Sequence, residues 1–194
     1  QYLTAYGALA YYGDIGPGDV VLITAASSSV GIAAIQIAKE HGACVIATTR
    51  HATKKAALQD IGADHIVTTE EEDLEARVME ITDGDGARIA LDPIAGPMLT
   101  VLCAAAAPHG TIFEYGALHS SETVYPLMPM LAKSLTIVGY QVLDFVLDPG
   151  RLSTTRDYIF TRIESGAFTP VIDRTFPLEQ IVEAHRHMES NTQC

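Results

Sequence analysis

Between Val21 and Ala34 the chain reads VLITAASSSVGIAA, an apolar run that passes through small residues directly into a helical pattern. A helix start presents unpaired N–H groups and the positive end of the helix dipole. An anionic diphosphate can dock there, provided no bulky side chain stands in its way. Ala26, Ser28 and Gly31 occupy the three spacings at which the dinucleotide fingerprint G-x-G-x-x-G carries glycine, and only the last glycine is kept. The literal motif fails, but its physical requirement survives. Ala and Ser are nearly as compact, Gly31 permits a helix to pack close on a strand, and Ser27, Ser28 and Ser29 add hydroxyls for phosphate. The same serines also read as the N-cap of an ordinary helix, and the turn alone does not separate the two readings.

About 20 residues further on, an NAD site places Asp or Glu at the end of its second strand to hold the ribose hydroxyls. Here that place reads Thr48-Thr49-Arg50, and no carboxylate occurs from His41 to Gln59. The same stretch carries Arg50, Lys54 and Lys55, a basic cluster in an acidic chain, where the 2′-phosphate of NADP would sit. The pair of observations favours NADP over NAD. The bland alternative is a solvated helix start that carries two lysines.

Other chemistry-bearing residues read more plainly. His185 and His187 diverge by about 200° on a helix, with no third ligand nearby, so they read as surface histidines. Asp92, before Pro93, reads as a turn-forming carboxylate that accepts N–H groups, with a catalytic role as the alternative. Glu114, between Phe113 and Tyr115 in an apolar run, must lie at a sheet edge or be paired. Ser27 to Ser29 do not meet the G-x-S-x-G nucleophile pattern. Glu70 to Asp73 read as an acidic helix start.

The elements that must hold these residues follow a regular rhythm. Strands are expected at Asp19 to Thr24, Ala43 to Thr49, Asp64 to Thr68, Arg88 to Leu91, Thr111 to Tyr115 and Leu135 to Tyr140. Helices are expected at Tyr2 to Ala10, Val30 to His41, Ala52 to Ile61, Glu71 to Thr82, Met98 to Ala107, Tyr125 to Ser134, Leu152 to Ser165 and Leu178 to Glu189. Pro108-His109-Gly110 reads as a turn, and 170 to 176 as extended chain. Repeated βαβ units of this kind make an α/β domain, a six-stranded parallel sheet with helices on both faces. No linker divides the chain.

The 194 residues are 48% hydrophobic and 19% charged, which excludes a disordered chain. A length of this order removes roughly 70% of the extended surface from water, so no metal or disulfide staple is needed. Twelve Lys and Arg against 24 Asp and Glu give a net charge of -12, which repels nucleic acid and acidic membranes. No apolar run approaches bilayer length. Cys44, Cys103 and Cys194 are odd in number and widely spaced, which fits a reducing, cytoplasmic setting. The chain starts at Gln1 inside a helical pattern and stops in a polar turn, Met188 to Cys194, which reads as a fragment.

The segments TAASSSVGIAAIQIAKEHGA, ALDPIAGP, FEYGAL, LAKSLTIVGY and PVIDRTFPLEQIVEAHRHMES, in this order, resemble the medium-chain dehydrogenase/reductase superfamily. More narrowly they are similar to its zinc-independent quinone oxidoreductase branch, also labelled zinc-containing alcohol dehydrogenase-like. The resemblance covers essentially the whole chain. It implies a doubly wound Rossmann domain that binds NADP(H), over residues 1–194, without the GroES-like catalytic domain and the C-terminal strands of full-length relatives. It implies reduction of a small-molecule acceptor, a quinone or an α,β-unsaturated carbonyl, and a homodimer through the strand Leu135 to Tyr140. The alternatives are a zinc-dependent alcohol dehydrogenase with its metal in the absent domain, or a dinucleotide-binding or dimerisation module without activity of its own.

Residue by residue, the resemblance puts Thr4 and Tyr6 in a helix lining the cofactor cleft, and Ser28, Ser29 and Val30 in the diphosphate turn. Lys54 matches the lysine on the 2′-phosphate, with Thr49 and Arg50 beside it. Pro93 and Ile94 fall on the adenosine side, and Tyr115, Gly116 and Ala117 beside the nicotinamide. Two departures stand out: Ser28-Ser29 replaces a commoner Gly-Gly, and Thr69 stands where some relatives have Tyr. No residue is assigned as catalytic acid, base or metal ligand.

Overall fold

A computed structural model describes residues 1–190; Asn191, Thr192, Gln193 and Cys194 of the expected terminal turn lie outside the described residues. Six strands form one all-parallel sheet: β1 (Val20–Ile23), β2 (Cys44–Thr49), β3 (His65–Thr68), β4 (Ala87–Asp92), β5 (Ala106–Glu114) and β6 (Thr136–Gly139). Their spatial order is β3-β2-β1-β4-β5-β6. This is the doubly wound Rossmann arrangement, and the order reverses between β1 and β4, where a crevice opens at the carboxyl ends of the strands.

Side chains alternate between two buried layers, which is why the strands read as unbroken apolar runs. Val21, Ile23, Val45, Ala47, Ile89, Leu91 and Phe113 pack on one face with the helix α2 (Ser29–Glu40) through Ala33, Ala34 and Ile37. Leu22, Ile46, Val67, Ala90 and Ile112 pack on the other, against α4 (Leu74–Ile81) and α5 (Met98–Ala105). The remaining helices are α1 (Tyr2–Tyr6), α3 (Lys55–Ile61), α6 (Leu127–Lys133), α7 (Leu143–Val146), α8 (Pro149–Glu164) and α9 (Ile181–Glu189).

Several boundaries differ from the sequence expectation, each for a local reason. The first helix turns π-helical over Gly7–Tyr12, and Gly7 admits Tyr140, whose hydroxyl would stand 2.0 Å from a Cβ there. The expected helix from Glu71 begins only at Leu74. Glu72 turns back to accept from the Thr68 N–H (2.9 Å) and hydroxyl (2.6 Å), and Asp73 caps the helix by accepting from the Ala76 N–H. Pro108-His109-Gly110 is not a turn between elements but part of β5. The strand pairs Ala106 with Ala87 and resumes at Thr111 with Ile89, so the extra residues bulge, with His109 at φ 62. Asp148 caps α8 with Pro149 at its start, earlier than expected, and α7 was not expected at all. The helix expected from Leu178 opens as a 3-10 turn, Leu178–Gln180, before α9. Among the described residues no helix is long and apolar enough to cross a membrane.

Candidate functional site

The crevice is built first by the turn between β1 and α2. Ala25 takes a left-handed conformation (φ 44), and the Ala26 N–H donates to the Thr48 carbonyl (3.0 Å), which ties the turn to β2. Ser28 is the N-cap of α2, its hydroxyl oxygen accepting from the Gly31 N–H at 3.1 Å. The hydroxyl proton remains available to donate. Gly31 is required by close approach, since a Cβ there would lie 2.5–2.7 Å from the backbone of Ala26. The capping and the dinucleotide readings of these serines are therefore compatible: one geometry serves both. Ser29 is exposed and Val30 half-buried at the mouth of the helix.

The second wall consists of two loops hung from β4 and β5. Asp92, fully buried, receives the Thr24 hydroxyl on Oδ1 and the Ala95 N–H on Oδ2 (2.6 Å), which matches its reading as a turn-forming carboxylate. The loop after β5 is clipped to the loop after β4 by three N–H donors: Tyr115 to Asp92, Leu118 to Pro93 and His119 to Ile94, each 2.9 Å. Gly116 fits because a Cβ would stand 2.9 Å from the Pro93 carbonyl oxygen. Pro93, Tyr115, Gly116 and Ala117 thus come together, with Ala117 exposed. The Tyr115 hydroxyl is buried without a hydrogen-bond partner among the described residues, and it faces Ser28. Burial drives its ionisation upward, so it stays a donor.

At the end of β2, Thr49 is buried and Arg50 exposed, and Arg50 makes no ion pair among the described residues. Lys54 Nζ donates to the Ser27 hydroxyl at 3.4 Å, which joins the expected 2′-phosphate position to the diphosphate turn. Lys55 is engaged elsewhere, paired with Glu72 at 3.2 Å. Of the three basic residues read as one cluster, Lys54 is thus the one seen to reach the turn, while Arg50 is exposed at the end of β2.

Thr4 and Tyr6 both lie on α1. Thr4 is half-buried on α1, and Tyr6 is packed among Tyr158 (ring centroids 4.7 Å) and Phe145, in an aromatic cluster with α7 and α8. The residue of α1 that reaches the turn is Tyr2, which no motif singled out. With Gln1, Ser29, Ile32 and residues 170–172 it lines a cavity of about 170 Å³.

These features fit a dinucleotide: an open helix start, a backbone cradle a Cβ would fill, a cation at the turn, and an orphaned buried hydroxyl aimed at it. Among the described residues no three His, Cys, Asp or Glu side chains gather as a metal site. His187 pairs with Asp173 instead.

Comparison with known proteins bears on the same segments. The chain is 30% identical over 187 residues to a quinone oxidoreductase-like protein 2 homolog of Nematostella vectensis, which aligns 95% of this chain and 51% of that one. It is 30% identical over 193 residues to a highly reducing polyketide synthase of Didymella fabae, 97% of this chain against 10% of the relative. The chain therefore spans about half or less of the length of these relatives. Among solved structures, Escherichia coli quinone oxidoreductase complexed with NADPH superimposes with TM-score 0.90 at 28% identity, covering 99% of this chain and 60% of that one. The CurK enoyl reductase does so with TM-score 0.85 at 26% identity, covering 97% and 56%. The family model described as zinc-binding dehydrogenase matches residues 29–154, from the start of α2 into α8. With more than half of its length so matched, this chain belongs to the zinc-binding dehydrogenase family of the medium-chain dehydrogenase/reductase superfamily.

Proposed function

We propose that this chain is the NADP(H)-binding domain of an oxidoreductase that passes hydride to a small electron-poor acceptor, a quinone or an α,β-unsaturated carbonyl. The observation that carries the reading is the Gly31–Ala26 cradle with Lys54 at its rim, a diphosphate seat with a cation in place of the ribose-binding acid. The E. coli relative is a quinone oxidoreductase complexed with NADPH and the CurK relative is an enoyl reductase, which supports both the cofactor and the acceptor class.

When bound, the nicotinamide supplies the hydride; the chain's own residues bind and orient. The N–H groups at the start of α2 and the Ser28 hydroxyl face the diphosphate. Lys54 and Arg50 hold the 2′-phosphate, and Arg50, exposed and outside any described ion pair, is available for it. Tyr115, Gly116 and Ala117 wall the nicotinamide side, and Pro93 the adenosine side. The strand β6, paired on one side only, offers its open edge to a second copy of the chain.

Titration calorimetry of this chain with NADPH and NADH tests the reading. Binding of NADPH in clear preference to NADH is expected, with little or no quinone reduction by the chain alone. Equal affinity for the two removes the 2′-phosphate assignment, and binding of neither removes the proposed function.

A further inference from the structure

Asp92 and Glu114 are register partners on adjacent parallel strands, so their side chains leave the same face of the sheet at its carboxyl edge. It is the face of Ala90 and Ile112, two residues earlier on each strand, which lie in the core layer under α5. The two carboxyl groups are unequally provided for. Asp92 has a donor on each oxygen, the Thr24 hydroxyl and the Ala95 N–H. Glu114 has both oxygens shielded from solvent and, among the described residues, no donor on either. An ionised Glu114 would leave two buried acceptors unsatisfied beside a second buried negative charge. A protonated Glu114 removes the like charge and, by donating to Asp92, leaves only its carbonyl oxygen without a donor.

The surroundings agree. Burial first, and the Asp92 charge second, push the Glu114 carboxyl up to about 8. From α5 the pair is faced by Cys103, whose thiol is pushed up by burial and by Glu114. From α6 comes Lys133, whose ammonium is held by the carbonyls of Ala104 and Ala106 at the end of α5. Just after β6, the Tyr140 N–H donates to the Glu114 carbonyl, and Tyr115 lies close enough to feel Asp92.

We propose that Asp92 and Glu114 hold one proton between them and act as a positioning pair, the Glu114 carboxyl donating to Asp92 and locking together the roots of the two loops at this edge of the crevice. The loops are residues 93–97 and 115–119. Asp92 anchors both, its side chain taking the Ala95 N–H and its carbonyl the Tyr115 N–H. Loss of the shared proton sets two like charges against each other under that anchor. That these loops are cofactor walls rests on the proposed function; the shared proton does not.

The Glu114→Gln variant keeps a donor toward Asp92 but has no proton to lose. At neutral pH an infrared band of a protonated carboxyl group is expected in the native chain and not in E114Q. Glu114's proton is held more tightly folded (about 8) than unfolded (about 4.3), so its stabilisation is complete below the unfolded value and is lost as pH rises through the folded one. The melting temperature of E114Q should therefore gain on the native chain between those limits and run parallel above them. Amide exchange at Ala95 and Tyr115 should speed up above pH 8 in the native chain relative to E114Q at the same pH. NADPH affinity should fall there only in the native chain, by up to about tenfold per pH unit.

Absence of the band, or parallel melting curves throughout, overturns the shared proton. Exchange that does not differ overturns the positioning role. Should E114Q not fold, Asp92→Asn replaces it, and the native band must then be lost at lower pH in D92N. If band, melting and exchange behave as stated while NADPH does not bind, the pair stands and the proposed function falls.

Discussion

Lys54 Nζ lies 3.4 Å from Ser27 Oγ, so a cation carried by the segment after β2 leans on the turn that follows β1. Twenty-seven positions apart in sequence, the two meet because β1 and β2 are paired in register and the Ala26 N–H is tied to Thr48. In the proposed function the serine hydroxyl holds the long side chain near the 2′-phosphate, an arrangement that lowers the entropy lost on binding. Lys54→Ala should weaken NADPH binding by about 1–3 kcal/mol, the scale of a charge-assisted contact, and leave NADH nearly unchanged. Calorimetry with both nucleotides checks it. Equal losses for both would place Lys54 on the diphosphate instead.

Tyr115 carries a buried hydroxyl that faces Ser28 and has no hydrogen-bond partner among the described residues. An unmet buried donor costs about 1–3 kcal/mol, and a ligand that meets it recovers that loss. Tyr115→Phe should therefore raise the melting temperature of the nucleotide-free chain while weakening NADPH binding. The two effects have opposite signs, which a general packing defect would not produce. Thermal melts with and without NADPH measure both. A variant that loses stability and affinity together would show the hydroxyl to be satisfied within the protein.

The alternation of strand and helix was legible because the inner strands β1, β2 and β4 are buried on both faces and so read as apolar runs. The bulge in β5 was not, because Pro108-His109-Gly110 has the composition of a turn and only pairing with β4 keeps it in the sheet. In the candidate site, Ser28 and Lys54, which the structure brings to one turn, and the Tyr115–Gly116 loop were nameable from local patterns or resemblance, since a strand-to-helix turn is a local structure. Tyr6 could not be placed that way: its neighbours Phe145 and Tyr158 come from α7 and α8, far along the chain. Glu114 was legible as a problem, a carboxyl within an apolar run, but its answer, Asp92, is set by strand order.

Glu72 gives the fold a pH dependence of the opposite sign to that of Glu114. Its carboxylate accepts from the Thr68 hydroxyl and N–H and from Lys55, and these donors hold its ionisation down to about 2. The folded value lies below the unfolded one, so the stabilisation is present above about pH 4.3 and is lost as pH falls toward 2. Glu72→Gln should melt lower than the native chain at pH 7, and the gap should close as the solution is acidified through that window. A gap that stayed constant with pH would assign the effect to shape rather than charge.

The edge of β6 sets the last expectation, that two copies of the chain pair there. Tyr140 sends its N–H to Glu114 on β5, so by the alternation of a strand the Gly139 N–H points to the open side. A Cβ at Gly139 meets nothing within 4 Å, and a proline there removes the outward donor without disturbing the ladder to β5. Sedimentation velocity over a concentration series should show the native chain passing from monomer to dimer, and Gly139→Pro remaining monomeric with the melt of the dilute, monomeric native chain. The position discriminates because apolar contact alone, through the exposed Leu127, Met128 and Leu131 of α6, would survive the substitution. A dimer that persists in the variant would move the interface from the strand edge to that helix, and a native chain that stays monomeric throughout would remove the self-association.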